Sequence, residues 1–322
     1  MPDHVELPSV WLVGTGGMAV DYAKVLQAQN VPFTTIGRGE VSAARYADAT
    51  GLAVTTGSVE EALRSSRPDC AIVAVGVPQL RDVACALLEH GVPRLLLEKP
   101  GGAGVADIAA VADAAGDRAD VRLAYNRRFY ASTLAARDVI DQDGGVTSFT
   151  FEFTEWLHVF RAMPTFDGSL DVFLANSTHV IDMAFHLAGF PTQLVSFVTD
   201  DGDLINETNR HIYTGAGVSS GGALFAYHSN WNAPGRWAAE ILTPSHRLIF
   251  RPLEQLQVQK MRSVAVEQVA IDDALDKEFK PGLYREVEAF LTGHGLSALP
   301  TIHDQLAHCD VYEIMKRGGR LP

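Results

Sequence analysis

The chain is poor in cysteine, in basic charge and in long apolar runs. Its 322 residues include three cysteines, Cys70, Cys85 and Cys309, and no CxxC pair. Three thiols cannot build a disulfide framework, so a reduced, intracellular protein with buried thiols is predicted. No apolar stretch approaches the roughly 18 residues of a membrane span. The segment Met1–Pro8 has neither the basic start nor the apolar core of a signal peptide, and a cytoplasmic location is expected. Lys and Arg total 26 against 39 Asp and Glu, a net charge of −13. That balance lacks the electrostatic footprint for nucleic acid and argues against an anionic membrane surface. Internal repeats, low-complexity tracts and long linkers are absent as well.

What is present is ordinary globular composition, 47% hydrophobic and 20% charged, at a length that suggests two domains. Up to about residue 125, short apolar strands alternate with helices. Val10–Val13, Phe33–Ile36, Ala53–Thr55, Cys70–Val75, Arg94–Leu97 and Val121–Tyr125 read as strands. Continuous apolar strands separated by helices imply a parallel sheet covered on both faces. Beyond residue 125 the pattern changes. Thr147–Trp156 alternates, with Phe149, Phe151 and Phe153 on one face. Leu194–Thr199, His211–Gly215, Gly222–Trp231, Trp237–Thr243 and His246–Phe250 follow with few helices between them, which predicts an antiparallel sheet. Helices at Leu283–Thr292 and Thr301–Arg317 are expected to close the chain. The predicted domains are 1–125 and 126–322.

Gly14-Thr15-Gly16-Gly17-Met18-Ala19 reads GxGxxA, directly after a strand and at the start of a helix. That context suits a dinucleotide pyrophosphate. Gly14 permits the tight turn, Gly16 lets the backbone approach the phosphates, and Ala19 allows close helix–strand packing, with the helix N-terminus facing the anion. An NAD site usually ends the second strand in Asp or Glu, which holds the ribose 2′-hydroxyl. Here that strand ends Thr35–Ile36–Gly37–Arg38, and no carboxylate appears before Glu40. Arg38 can pair with a 2′-phosphate, so NADP is expected, with NAD as the alternative if Arg38 is solvated and Glu40 takes the ribose.

Leu97-Glu98-Lys99-Pro100 follows a buried strand, and a lysine there points into the crevice where parallel sheets bind ligands. With the glycine loop, this motif resembles the glucose–fructose oxidoreductase and inositol dehydrogenase (Gfo/Idh/MocA) family. Val77–Pro78, Tyr125-Asn126-Arg127-Arg128-Phe129, His179-Val180-Ile181-Asp182 and Val287-Glu288-Ala289-Phe290-Leu291 extend the resemblance over nearly the whole chain. It implies an α/β fold: an N-terminal Rossmann dinucleotide-binding domain plus a C-terminal α/β domain with a large, mainly antiparallel open sheet. It implies NAD(P)-dependent oxidation or reduction of a sugar, cyclitol or nucleotide-sugar carbon. Lys99 takes the place of the lysine beside the nicotinamide and His179 that of the acid/base histidine. Glu98, Val77 and Pro78 join the cofactor site.

Two positions depart from the family. Ala175 stands where many relatives carry an aspartate, four residues before the histidine, and Asp82 stands where a histidine is often found. Asn176 and Asp182 are therefore the residues expected to orient His179 or to reach the substrate. Aromatic and amide side chains at Trp156 and Asn230 suit a sugar's apolar face and hydroxyls. Arg127 and Arg236 join them as expected substrate contacts, and Arg161, Arg236 and Trp237 could hold a phosphate of an activated sugar. His179, Asp182 and His186 share a helical face at metal-ligand spacing, but the nicotinamide reaction needs no metal and none is expected. The partners predicted are a small carbohydrate-like substrate and further copies of the chain, as a homodimer or homotetramer joined by the open sheet. Two other functions compete: a glycosidase using bound NAD for transient oxidation, and a non-catalytic regulator that senses dinucleotide.

Overall fold

The computed structural model describes residues 8–162, 170–199 and 212–321. The chain divides into two compact units, Met1–Tyr125 with Glu278–Leu306, and Asn126–Lys277 with Ala307–Pro322.

The first unit is built on six strands, β1 (Val10–Val13), β2 (Phe33–Gly37), β3 (Val54–Thr56), β4 (Cys70–Val73), β5 (Arg94–Glu98) and β6 (Asp120–Ala124). All pair in parallel, in the order β3-β2-β1-β4-β5-β6. Their apolar runs are buried because helices cover the sheet: β1 and β4 are buried at every position, as are Leu95, Leu96 and Leu97 of β5. The crossovers are α1 (Gly17–Ala28), α2 (Glu40–Thr50), α3 (Val59–Leu63), α4 (Leu80–Glu89) and α5 (Val105–Ala115). Strand order reverses between β1 and β4, and at such a switch point an open parallel sheet offers a crevice beyond its carboxyl ends.

Residues 278–306, expected with the second domain, pack with this first unit instead. The helix Leu283–Thr292 buries Leu283, Glu286, Val287 and Phe290. Gln29 Nε2 donates to the Tyr284 carbonyl and Arg94 to that of Phe290. Leu123 N donates to the Pro300 carbonyl at 2.9 Å, and Thr301 bridges antiparallel to Arg122. The reason is apolar area: an amphipathic helix finds its partner where a buried face remains uncovered, whatever its place in the sequence.

Among the described residues the second unit carries nine strands: β7 (Ser148–Glu152), β8 (Pro191–Thr199), β9 (Ile212–Ser219), β10 (Leu224–Asn230), β11 (Ala238–Leu242), β12 (His246–Phe250), β13 (Gln257–Lys260), β14 (Val266–Gln268) and β15 (Gly319–Leu321). Their order is β14-β13-β12-β11-β7-β10-β9-β8-β15. All neighbours are antiparallel except β7 and β10. The sheet is thus mainly antiparallel with one parallel pair at its centre. Of the expected strand His211–Gly215, His211 lies outside the described residues. The alternation in β7 decides the buried face. Phe149, Phe151 and Phe153 are buried, and Phe185 packs edge-on against Phe149 and Phe151 at 6.1 and 5.4 Å. Phe185 comes from α8 (Thr178–Ala188); α6 (Ala131–Gln142) and α7 (Leu157–Arg161) precede it. No helix among the described residues is long and apolar enough to cross a membrane.

Candidate active site

In the first unit, Gly14 takes φ +128°, a region that L side chains rarely enter, and a Cβ there would stand 2.2 Å from the Ala74 carbonyl oxygen. The β1–α1 turn therefore closes over β4 only with glycine. Gly16 and Gly17 have the opposite surroundings, with nothing within 4 Å of where a Cβ would be. Gly16 precedes α1 without offering a side-chain cap, and no acidic residue occupies the helix's first turn. The first N–H groups of α1 are left for an anion, in open space and next to the switch point. These features fit a dinucleotide pyrophosphate. Ala19 is fully buried against the sheet, as close helix–strand packing requires.

A cavity of about 560 Å³ extends from this loop past the ends of β2, β3 and β4. Gly14, Thr15, Gly16, Arg38, Ser42, Ser58 and Asp82 are among the residues that line it. Arg38 is exposed and, among the described residues, pairs with no carboxylate, whereas Asp82 is paired to Arg81 at 2.8 Å. Gly17, Met18, Ala19, Val77, Pro78, Glu98 and Lys99, also expected at the cofactor, do not line this cavity. Val77 and Pro78 form a single helical turn after Gly76, and Val75, Gly76 and Gln79 from the same stretch are lining residues.

The Glu98–Lys99–Pro100 segment at the end of β5 is held from two sides. Tyr22 of α1 donates its hydroxyl to Glu98 at 2.9 Å, with Glu286 3.2 Å from the same oxygen. Gln305 Nε2 donates to the Pro100 carbonyl at 3.1 Å, and Tyr125 donates to Gln305. Burial pushes the Glu98 carboxyl above its ordinary value, opposed by Lys99, Tyr22 and Lys280. Burial, with Glu98 and Glu286 adding to it, pushes the Tyr22 hydroxyl well up. Lys280 was not foreseen: its ammonium lies 3.0 Å from Met18 Sδ, beside the glycine loop, 262 residues further along the chain. A local motif carries no trace of such a neighbour.

In the second unit, His179 is buried in the first turn of α8, its ring centre 6.0 Å from that of Trp237. The turn before it, Phe173–Ser177, is π-helical, so the four-residue α-helical spacing from Ala175 to His179 does not apply. Two carboxylates hydrogen-bond to this turn: Asp171 Oδ1 accepts from Leu174 N at 3.1 Å, and the other is Glu155. It is 1% exposed and accepts from Asn176 Nδ2 at 2.9 Å and Ser177 Oγ at 2.7 Å. Burial pushes its carboxyl up, and Ser177, Asn176 and Arg236 counter this. Asn176, expected at the substrate or at His179, is thus engaged by Glu155.

Asp182 departs from expectation too. It is fully buried, and its two oxygens accept from Arg128 Nε at 2.7 Å and Nη2 at 2.6 Å. A bidentate pair of this kind occupies both oxygens, and neither a substrate contact nor a role in orienting His179 is needed to explain it. Asn230 shapes a turn, its Oδ1 accepting from Asn232 N at 3.0 Å. The remaining expected contacts come together: Arg236 lies over the rings of Trp156 and Trp237, and Arg127 over those of Trp237 and Tyr130.

Residues 9–126 match the family model described as the oxidoreductase family with an NAD-binding Rossmann fold, GFO_IDH_MocA. The matched stretch spans the six parallel strands of the first unit. Three solved structures show the same fold over almost the whole chain. Levoglucosan dehydrogenase in complex with NADH and L-sorbose is 17% identical, covers 98% of each chain and has a TM-score of 0.77. An oxidoreductase from Agrobacterium radiobacter in complex with NAD+, L-tartaric acid and magnesium is 14% identical, covers 95% of this chain and 94% of its own, and scores 0.76. UDP-N-acetylglucosamine 3-dehydrogenase from Acidithiobacillus ferrooxidans is 15% identical over 95% of each chain, with a TM-score of 0.72. At these identities the likeness is one of fold. No curated protein matches the sequence.

Proposed function

We propose that this protein is an NAD(P)-dependent oxidoreductase that exchanges a hydride with a carbinol or carbonyl carbon of a sugar, cyclitol or nucleotide sugar. The carrying observation is the glycine loop, where an obligatory Gly14 and the open Gly16 leave an uncapped helix entry for a pyrophosphate. The carbohydrate class draws support from the similarly folded proteins, two of which are named as dehydrogenases of levoglucosan and of UDP-N-acetylglucosamine. A bound nicotinamide supplies the hydride acceptor or donor. Lys99 polarises the reacting oxygen through its ammonium group and relays its proton, and His179 is the second acid/base. Lys99→Met is expected to lower turnover by about 10²–10⁴-fold while cofactor affinity stays near wild type. His179→Ala is expected to keep the fold and cofactor binding and lose most activity. Steady-state kinetics on a sugar and nucleotide-sugar panel, with cofactor titrated in parallel, is the test. Wild-type turnover by the Lys99 variant would leave that lysine a structural residue.

NADP is the preferred cofactor in this reading. Arg38 lines the cavity with no acidic partner of its own among the described residues, and a guanidinium pairs bidentately with phosphate. Calorimetry is expected to give tighter binding of NADPH than NADH. Arg38→Ala should cost NADPH about 1–3 kcal/mol more than NADH. NADH as the tighter ligand of the wild type would remove the claim. The chain is also proposed to form a homodimer or homotetramer through the sheet of the second unit, where Phe197 and Leu224 are 67% and 63% exposed. A monomeric mass by light scattering would refute it.

A further inference from the structure

Two arginines of the second unit, Arg127 and Arg236, form a ladder with its aromatic rings. The Arg236 guanidinium lies 4.9 Å from the ring centre of Trp156 and 4.6 Å from that of Trp237. On Trp237, Arg127 sits at 4.7 Å, and it lies 5.8 Å from the Tyr130 ring. Trp156 is fixed by its Nε1, which donates to the Gly235 carbonyl at 2.8 Å. Two like charges thus share one indole. Burial pushes the Arg127 guanidinium below its ordinary value, Arg236 adds a smaller push the same way, and Tyr130, Glu254 and Glu155 oppose it.

Counter-charge is short. Glu155 is the one carboxylate within ion-pair distance of the ladder among the described residues, 3.9 Å from Arg236 Nη1, and it already accepts from Asn176 and Ser177. Arg127 has no carboxylate partner among the described residues. Its Nη1 donates to Asn126 Oδ1 at 3.2 Å, and its buried Nε has no hydrogen-bond partner. A cavity of about 360 Å³ opens beside the ladder at Trp156, lined also by Glu155, Arg161 and Trp231, whose buried Nε1 has no acceptor. Within ion-pair distance the cluster has two cations to one carboxylate among the described residues, Glu254 acting on Arg127 without pairing to it, and Arg127 Nε and Trp231 Nε1 are donors without acceptors. A guanidinium drawn out of water with no carboxylate in direct contact is costly, and an oxyanion bound by charge-assisted hydrogen bonds offsets that cost.

We infer that the Trp156–Arg236–Trp237–Arg127 ladder is a subsite for an oxyanion carried by the substrate, a carboxylate or a phosphate, so that the substrate is an acidic carbohydrate. As an assignment of substrate class this rests on the oxidoreductase reading; as an anion site it stands on the charge and donor count alone.

The test is calorimetric titration of the full chain with D-gluconate, D-glucose 6-phosphate and UDP-glucose, against D-glucose and sorbitol, at 20 and 300 mM KCl. At least one anionic probe is expected to bind about tenfold or more tightly than both neutral ones, with the advantage shrinking at high salt. Which probe wins separates carboxylate, phosphomonoester and diphosphate. Arg236→Gln, at a side chain that is half exposed, is expected to remove most of the advantage, and Arg236→Lys to keep part of it, with melting temperatures confirming that both fold. Neutral probes binding as tightly as the anions, or an unchanged preference in Arg236→Gln, would overturn the inference. NAD+ and NADP+ reduction is followed in the same samples. Turnover of neutral sugars without anion preference sinks the subsite and leaves the oxidoreductase reading. Anion-selective binding without any hydride transfer keeps the subsite and sinks that reading.

Discussion

Burial, reinforced by the charges of Arg128 and Arg137, pushes His186 down to about 2 from an ordinary 6.5. The imidazole is packed near two arginines and is neutral in the fold at any ordinary pH. The consequence is a pH dependence with a definite sign. Below 6.5 the unfolded chain takes up a proton that the folded chain refuses, down to about 2, so stability falls as pH falls through that window. The slope is at most about 1.4 kcal/mol per pH unit. His186→Gln should flatten the acid branch of the stability curve between pH 6.5 and 4, measured by urea unfolding. An identical slope in the variant would place the acid sensitivity on other groups. Asp182 illustrates the same scale. A carboxylate that looked free to act is committed to Arg128, and removing one member of such a buried pair costs about 3–5 kcal/mol.

Two glycines of one turn have opposite duties, and this shows at the level of the β1–α1 element. Gly14 serves the fold, since a methyl group there meets the β4 backbone at Ala74. Gly16, at φ −82°, has open space beside it, as the proposed pyrophosphate site requires. Gly14→Ala should destabilise the first unit strongly. Gly16→Ala should leave the melting temperature unchanged or slightly raised, because an ordinary φ accepts alanine and the unfolded chain loses freedom. Its dinucleotide affinity should nonetheless fall, because the new methyl occupies the approach to the helix N-terminus. Thermal melting with and without cofactor separates the two. Equal loss of stability in both variants would mean that the turn is purely structural.

On the scale of the whole molecule, the first unit is assembled from two distant stretches of chain. Residues 278–306 bring Leu283, Val287 and Phe290 into its core and pin both Pro100 and β6. A fragment ending at residue 125 would expose that apolar face. It should melt well below a version in which residues 278–306 are rejoined through a flexible linker, by roughly 1.5–3 kcal/mol for each large apolar side chain returned to the core. Circular dichroism of the two fragments decides this. Equal melting temperatures would show that the late helix adds nothing to the Rossmann sheet.

The local sequence by itself determined the elements whose signature lies within a few residues. A strand, a glycine turn and a helix in succession leave their mark between Val10 and Ala28, so the parallel sheet and the loop at Gly14–Ala19 were legible. So was the face of β7, because alternation with period two is a property of the strand alone. Tertiary structure decided everything that depends on partners distant in sequence. The commitment of Asp182 to Arg128 spans 54 residues, and the hold of Tyr22 on Glu98 spans 76. The ladder draws Arg127, Trp156 and Arg236 from three separate stretches of the chain. A carboxylate in sequence is the same residue whether it will be paired, buried or open to a ligand. Its surroundings settle which, and those are created only when apolar burial brings distant segments together.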